Sequence, residues 1–315
     1  MQLDYRTICH GNLLKDLPNR QKEVIVRRFG LRGKRETLEA VGQDLGITRE
    51  RVRQIEEDGL QELREKMDLP ACRTVSHYFT DYLNKNSGLK KEDILLKELG
   101  GEKFKNHIFF LLTLAKPFIR IAESGDFHAF WATGQQSAEK ARGAISSFVS
   151  ELKKEKKPLA LPAVTPISYV EVSKKVQKNQ DGFYGLLDWP EINPRGVKDK
   201  AYLLFKKEKR PLHFTEVASL VKHDVPQTVH NELIKDPRFV LVGRGLYALQ
   251  EWGYQSGAVK DVIARMLQKK PLAKEEVIQK VLEQRRVQPN TIFLNLQNKK
   301  NFIKNSEGKY TIRKV

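Results

Sequence analysis

The sequence predicts a mainly α fold: a helix-turn-helix near the N-terminus followed by tandem units of three helices and a β-hairpin. Three observations carry this. Apolar residues recur at helical spacing on both sides of a glycine turn at Gly46. A second pattern repeats itself beyond residue 200 with an offset that drifts only from 60 to 63. The composition, 40% hydrophobic and 30% charged with 15 Phe, 9 Tyr and 3 Trp, holds enough apolar material for several cores in 315 residues.

The first unit is expected over residues 1–70. Pro18 suits the first turn of a helix on which Val24, Ile25 and Phe29 share a face, and Gly30 stops it. Thr37 is a candidate N-cap for a second helix, with Leu38, Val41 and Leu45 inward. Gly46 and Ile47 make a tight turn. Thr48 then caps a third helix with Val52, Ile55 and Leu63 inward and Arg49, Glu50, Arg53 and Gln54 outward. Two helices about a glycine-containing turn present the second helix to a major groove. Arg forks match guanine, Gln can pair with adenine, and Glu can accept from cytosine. The same alternation also serves simply to solvate a helix through pairs three and four residues apart. Glu56, Glu57 and Asp58 read as a solvated or partner-facing surface.

The segment TLEAVGQDLGITRERVRQIEEDGLQELR resembles the second half of region 4 of the bacterial primary sigma factors, and RQKEVIVRRFGL resembles the helix before it; together they cover about residues 17–67. In that family the recognition helix reads the promoter −35 element and the region docks on the β flap of RNA polymerase. Carried over by position, the resemblance makes Arg49, Glu50, Arg53 and Gln54 base-reading residues. It makes Arg20, Arg51 and Thr48 candidates for phosphate contact. Sixteen residues precede the resemblance, and nothing downstream resembles the sigma regions that open the −10 element or clamp polymerase. The expectation is therefore of a chain that is not a complete sigma factor.

Beyond residue 196 the repeat is explicit. Pro211, Leu212, Glu216 and Val217 match Pro271, Leu272, Glu276 and Val277. Thr228 and Leu233 match Thr291 and Leu296, Phe239 matches Phe302, and Gly245 and Tyr247 match Gly308 and Tyr310. Each copy has a leading helix (199–207, 259–268), a short helix after Pro-Leu, a third helix, and two alternating strands about a glycine turn: 239–242 with 246–249, and 301–304 with 310–313. Three helices and a hairpin make a winged helix. The copy at 196–253, with DKAYLLFKKEKRPLHFTEVA and GRGLYAL, resembles the HARE-type helix-turn-helix domain of the delta subunit of bacterial RNA polymerase; 256–315 is a weaker member. The expected units are thus 196–255 and 256–315.

Between them and the first unit, residues 71–135 are expected as a diverged unit of the same plan. Its helices are placed at 76–86, 90–99 and 104–115 and its strands at 118–122 and 127–131. A further unit is expected over 136–195, where Pro158-Leu159 follows a helix and FYGLLDW resembles a wing strand. KKEKKPLALPAVTP and WPEINPRG read as linkers.

A net charge of +18 favours polyanions. Residues 1–70 hold 14 Lys and Arg against 13 Asp and Glu, so the excess lies downstream, where residues 201–315 hold 22 basic against 11 acidic residues. Lys269, Lys270, Arg285, Arg286, Lys299, Lys300 and Lys304 are the candidate phosphate contacts there, or else a solubilising face. Double-stranded DNA and RNA polymerase are the expected partners. Two cysteines, no secretory signal and no long apolar run point to the cytoplasm and the nucleoid, away from membranes. No zinc-type Cys/His spacing, phosphate loop or hydrolase motif occurs, so neither metal, cofactor, small-molecule substrate nor enzyme is expected.

Overall fold

A computed structural model describes residues 3–313. Residues 1–2 and 314–315, which the expected units 1–70 and 256–315 include, lie outside the described residues. The chain forms two compact units that divide between Asp188 and Trp189.

The first unit opens with a π-helical stretch, Thr7–Leu13, and continues with α1 (Asn19–Phe29), α2 (Leu38–Leu45) and α3 (Arg49–Glu65). Gly30 ends α1 in the left-handed region at φ 63°, which glycine adopts at no steric cost. A 3-10 turn, Lys66–Asp68, leads to α4 (Pro70–Lys85), β1 (Leu89–Lys91), α5 (Glu92–Leu114), β2 (Ile119–Ile121) and β3 (Phe130–Ala132). The strands form one antiparallel sheet in the order β1-β3-β2. α6 (Gln135–Glu155), α7 (Ile167–Val172), β4 (Val176–Lys178) and β5 (Tyr184–Leu186) complete the unit.

Two expectations need correction. Lys90 and Lys91, expected to open a helix, lie in β1 and pair with Trp131 and Phe130. The two helices expected over 90–115 are both present as the two halves of α5, which breaks between them at Gly101, whose φ of 55° and ψ of −165° only glycine tolerates well. The unit at 136–195 has two helices, not three, among the described residues, and Lys153 and Lys154 of the expected linker close α6. α7 is moreover tied to its predecessor: Ser168 Oγ donates to the Asn86 carbonyl at 2.7 Å and Lys90 pairs with Glu171 at 2.8 Å.

A single apolar core runs across the expected boundary at 70/71. Tyr5, Leu13, Ile25, Phe29 and Leu63 are buried with Cys72, Phe79, Leu83, Phe110 and Trp131. Phe29 meets Phe110 edge-on at 5.0 Å between ring centroids. The helix-turn-helix thus keeps only a small cluster of its own, Val24, Val41, Val52 and Ile55 beneath α2 and α3, while the rest of its apolar residues join the shared core.

The second unit repeats one plan twice. α8 (Gly196–Glu208), β6 (Leu212–His213), α9 (Phe214–Leu220), α10 (Pro226–Lys235), β7 (Phe239–Gly243) and β8 (Leu246–Leu249) are followed by a 3-10 turn, Gln250–Trp252. Then come α11 (Val259–Lys269), α12 (Lys274–Gln284), α13 (Pro289–Leu296), β9 (Phe302–Lys304) and β10 (Tyr310–Ile312). The matched residues Leu212 and Leu272, Val217 and Val277, Leu233 and Leu296, Phe239 and Phe302, Tyr247 and Tyr310 are all buried, in two separate cores. Leu212 pairs with Tyr247, and Leu272 with Tyr310, so the repeat preserves a strand pairing as well as a core. The first unit shows the same device in Leu89 with Ala132 and Leu159 with Tyr184.

Candidate nucleic-acid interface

Caps and glycines place the α2–α3 pair. The Thr37 hydroxyl accepts from the Ala40 N–H at 3.1 Å, and the Thr48 hydroxyl from the Arg51 N–H at 3.2 Å, each satisfying a donor that the helix start leaves free. Gly46 closes α2 at φ 65°, and Ile47 N–H returns to the Gly42 carbonyl at 2.9 Å. The turn is tight enough that a Cβ on Gly42 would stand 2.8 Å from the Ile47 oxygen. Gly59 likewise lets α3 approach Ile25 on α1.

Ion pairs fix the outer edges of the pair. Arg27 bridges Glu36 and Asp44, both at 2.5 Å, and Arg28 holds Glu56 at 2.8 Å while also donating to the Glu36 carbonyl. The Glu36 carboxyl lies below its usual range because Arg27 donates to it. Arg27, Arg28, Glu36 and Asp44 gave no functional signal in the sequence, since partners lie up to 28 positions away, and Glu56, expected on a solvated or partner-facing surface, is instead half-buried and held by Arg28.

Arg49, Glu50, Arg51, Arg53 and Gln54 are all exposed along the first turns of α3, and Thr48 is exposed at its cap. Arg20, at the start of α1, is exposed too. The face is not a free row of cations. Arg53 donates to Glu50 at 2.8 Å and to Glu57 at 2.7 Å, and Arg51 to the Gln54 amide oxygen at 3.1 Å. The Glu50 carboxyl is held below its usual range mainly by the Arg53 hydrogen bond. Both features named in the sequence coexist here: side chains that can read base edges, and spacings that pair them with one another.

The downstream cations divide. Lys269, Lys270, Arg286, Lys299, Lys300 and Lys304 are exposed. Lys304 lies over the Tyr310 ring at 5.2 Å, and Lys269 and Lys270 precede Leu272, which pairs with Tyr310, so these three share one end of the hairpin. Lys299 and Lys300 lie before β9, where Arg313 donates to the Lys299 carbonyl at 3.1 Å. Arg285 is a correction: it is 4% exposed and its guanidinium donates to the carbonyls of Gln284, Gly257 and Gln255. Its charge is spent on backbone groups, and it is not available to a phosphate. The sequence passed over Arg244, exposed in the glycine turn between β7 and β8. It lines a cavity of about 800 Å³ with Arg286, Gln288 and Thr291. The signal was the GRG turn itself.

No helix among the described residues is long and apolar enough to cross a membrane.

Residues 13–65 match the family described as Sigma-70, region 4. Over 57 residues the chain is 51% identical to the RNA polymerase sigma factor RpoS of Coxiella burnetii, which covers 18% of this chain and 16% of that protein. It is 54% identical over 54 residues to the RNA polymerase sigma-B factor of a Nostoc species, covering 17% and 16%. With the sigma-C factor of the same species it shares 49% over 55 residues, covering 17% and 13%. The chain therefore spans about a sixth of the length of these relatives. A sigma region 4 helix-turn-helix thus lies at residues 13–65 of a mainly helical protein that also holds several small sheets.

Proposed function

We propose that the chain is a sequence-specific, double-stranded DNA-binding regulator of transcription, reading a promoter −35-like element with α3. It is a binding protein in this reading, neither an enzyme nor a complete sigma factor, and it works without a cofactor. The observation that carries the reading is the exposure of Arg49, Glu50, Arg53 and Gln54 together on the first turns of a capped helix, within the segment that matches sigma region 4. Arg20, Arg51 and Thr48 would bind flanking phosphates. The two copies at 196–255 and 256–315 act as winged helices of the HARE type, and 71–135 and 136–195 as diverged members. Lys269, Lys270, Arg286, Lys299, Lys300 and Lys304 hold backbone beside the site and lengthen the footprint.

A second reading is an accessory subunit of RNA polymerase, docked on the β flap without reading sequence. It is favoured by the pairing of Arg53 with Glu50 and Glu57 and by the near balance of charge in residues 1–70.

Selection from random duplex DNA at about 0.15 M salt, where non-specific binding is damped, separates the two. Wild type should enrich a TTGACA-like motif that Arg49→Ala/Arg53→Ala loses. Absence of any motif, with retention on immobilised polymerase, would transfer the assignment to the accessory role.

A further inference from the structure

We propose that Arg28 is a positioning residue for sequence reading: by holding Glu56 it fixes the roll of α3 about its own axis, and with it the edge that the reading side chains present. This rests on the reading of α3 proposed above and names the part of the fold that aims it.

Among the described residues four ion pairs involve α3, and three of them join positions three or four apart: Glu50 with Arg53, Arg53 with Glu57, and Glu62 with Lys66. Such pairs turn with the helix and cannot orient it. Arg28 with Glu56 is the one that crosses to another helix, with Nε 2.8 Å from Oε2. These two side chains are 24% and 17% exposed, so water and salt screen their pair less than the exposed pairs of the reading face.

Its place along the helices matters as much as its burial. A Cβ on Gly59 would stand 2.7 Å from Ile25 Cδ1, so α3 touches α1 there without a side chain of its own between them. Arg28 is three residues after Ile25 and Glu56 three before Gly59, so the two contacts lie about one turn apart on antiparallel helices. The first is an apolar pivot; the second is a charged hydrogen bond with a set length and direction. Beneath the reading turns lies the aliphatic cluster of Val24, Val41, Val52 and Ile55. Apolar burial is non-directional, so it holds the helix down without fixing its roll.

Arg28 is itself braced. Nη1 donates to the Glu36 carbonyl, next to the Thr37 cap, and its neighbour Arg27 binds the Glu36 carboxylate and Asp44, before and near the end of α2. The end of α1 thus gathers α2 and α3 into one frame. A roll of about 20° would carry a side-chain end about 5–6 Å from the axis through about 2 Å, well beyond the spread of about 0.5 Å in hydrogen-bond length.

The test uses the full chain with Glu56→Gln, which keeps the volume, and Arg28→Met, which keeps the stem, both checked for native circular dichroism. Dissociation constants are measured on a duplex carrying TTGACA and on one with the same bases scrambled. Backbone residual dipolar couplings of α1 and α3 report their relative orientation. Selectivity, the ratio of the two constants, should fall about tenfold in both variants, on the order of one lost base contact. The double variant should fall no further, since the pair is lost only once. A long-range charge effect predicts otherwise: removing the cation weakens both complexes and removing the anion strengthens both, with selectivity untouched. That outcome, or additive losses in the double variant, overturns the proposal. If Arg28→Met does not fold, Glu56→Gln decides alone. If the wild type does not distinguish the duplexes, the reading of α3 has failed and the couplings decide by themselves: an α3 unmoved against α1 in Glu56→Gln overturns the positioning, and a turned α3 supports it.

Discussion

At Gly42 two effects oppose each other, and the geometry decides between them. Alanine is the better helix former by about 1 kcal/mol, yet its Cβ would meet the Ile47 carbonyl at 2.8 Å, where backbone cannot yield cheaply. Gly42→Ala is therefore expected to destabilise by about 1–3 kcal/mol. Gly33→Ala, with nothing within 4 Å, should stay within about 0.5 kcal/mol. Urea unfolding of the two variants side by side checks this, and equal midpoints would refute the tight-turn argument. Arg53 is the other decisive residue. If it reads a base, Arg53→Ala costs about 1–3 kcal/mol on the preferred duplex and relaxes the choice of base at one position. Losses of equal size on preferred and random duplexes would remove Arg53 from base reading and leave its pairs with Glu50 and Glu57 as its role.

Caps and staples act on whole elements. Thr48→Ala removes the acceptor for the Arg51 N–H and should cost about 1 kcal/mol, with fraying in the first turn of α3. Hydrogen exchange at Arg51 and Val52 measures it, and unchanged protection there would mean that packing on α1 alone holds the turn. Arg285 does the same for the segment between the two copies of the second unit. Its neighbour Arg286 donates its N–H to Val242, and Gln284 Oε1 accepts from Gln255 N–H at 3.0 Å, so the second copy grips both the wing of the first and the connecting chain. Arg285→Ala strips donors from three carbonyls and should cost about 2–3 kcal/mol, more than a surface arginine. Thermal unfolding compares it with Arg286→Ala. The exposed Lys299 and Lys300 belong to the same scale: their joint replacement by alanine should weaken all duplexes alike and flatten the salt dependence, by about one unit of log–log slope for each phosphate that is no longer neutralised.

Across the first unit, the shared core makes the helix-turn-helix depend on residues far from it in sequence. Phe110 is fully buried against Phe29, so Phe110→Ala should cost about 3–5 kcal/mol. Exchange protection in α1 and α3 should fall together with that in α4 and α5; protection lost in α5 alone would show that the helix-turn-helix folds independently. Burial also holds the His107 and His10 imidazoles below their ordinary value, with Arg6, Lys22 and Arg32 adding repulsion and Asp4 opposing it at His107. The unfolded chain then binds more protons than the folded one as the pH drops. The contribution is complete above the ordinary histidine value, 6.5, and is lost as the pH falls through it towards the lower folded values. The stability lost between about pH 7.5 and 5.5 should be smaller in His107→Gln, as urea midpoints at the two pH values would show.

The sequence by itself determined the elements whose causes are local. Thr37 and Thr48 cap the helices they precede, and Gly30 and Gly46 end helices in the left-handed region. The first turns of α3 were legible because helical spacing alone puts Arg49, Glu50, Arg53 and Gln54 outward. Tertiary structure decided what depends on partners distant in sequence. Lys90 and Lys91 are strand because β3 offers them a ladder about 40 positions later. Arg285 is interior because the chain around Gln255 and Gly257 folds back over it, whereas its neighbour Arg286 remains at the surface. Residues on either side of position 70 share one core because Phe29 and Phe110 pack together, and no local pattern encodes that contact. Local periodicity states which way a side chain points along its own element; only the packed chain determines what it meets there.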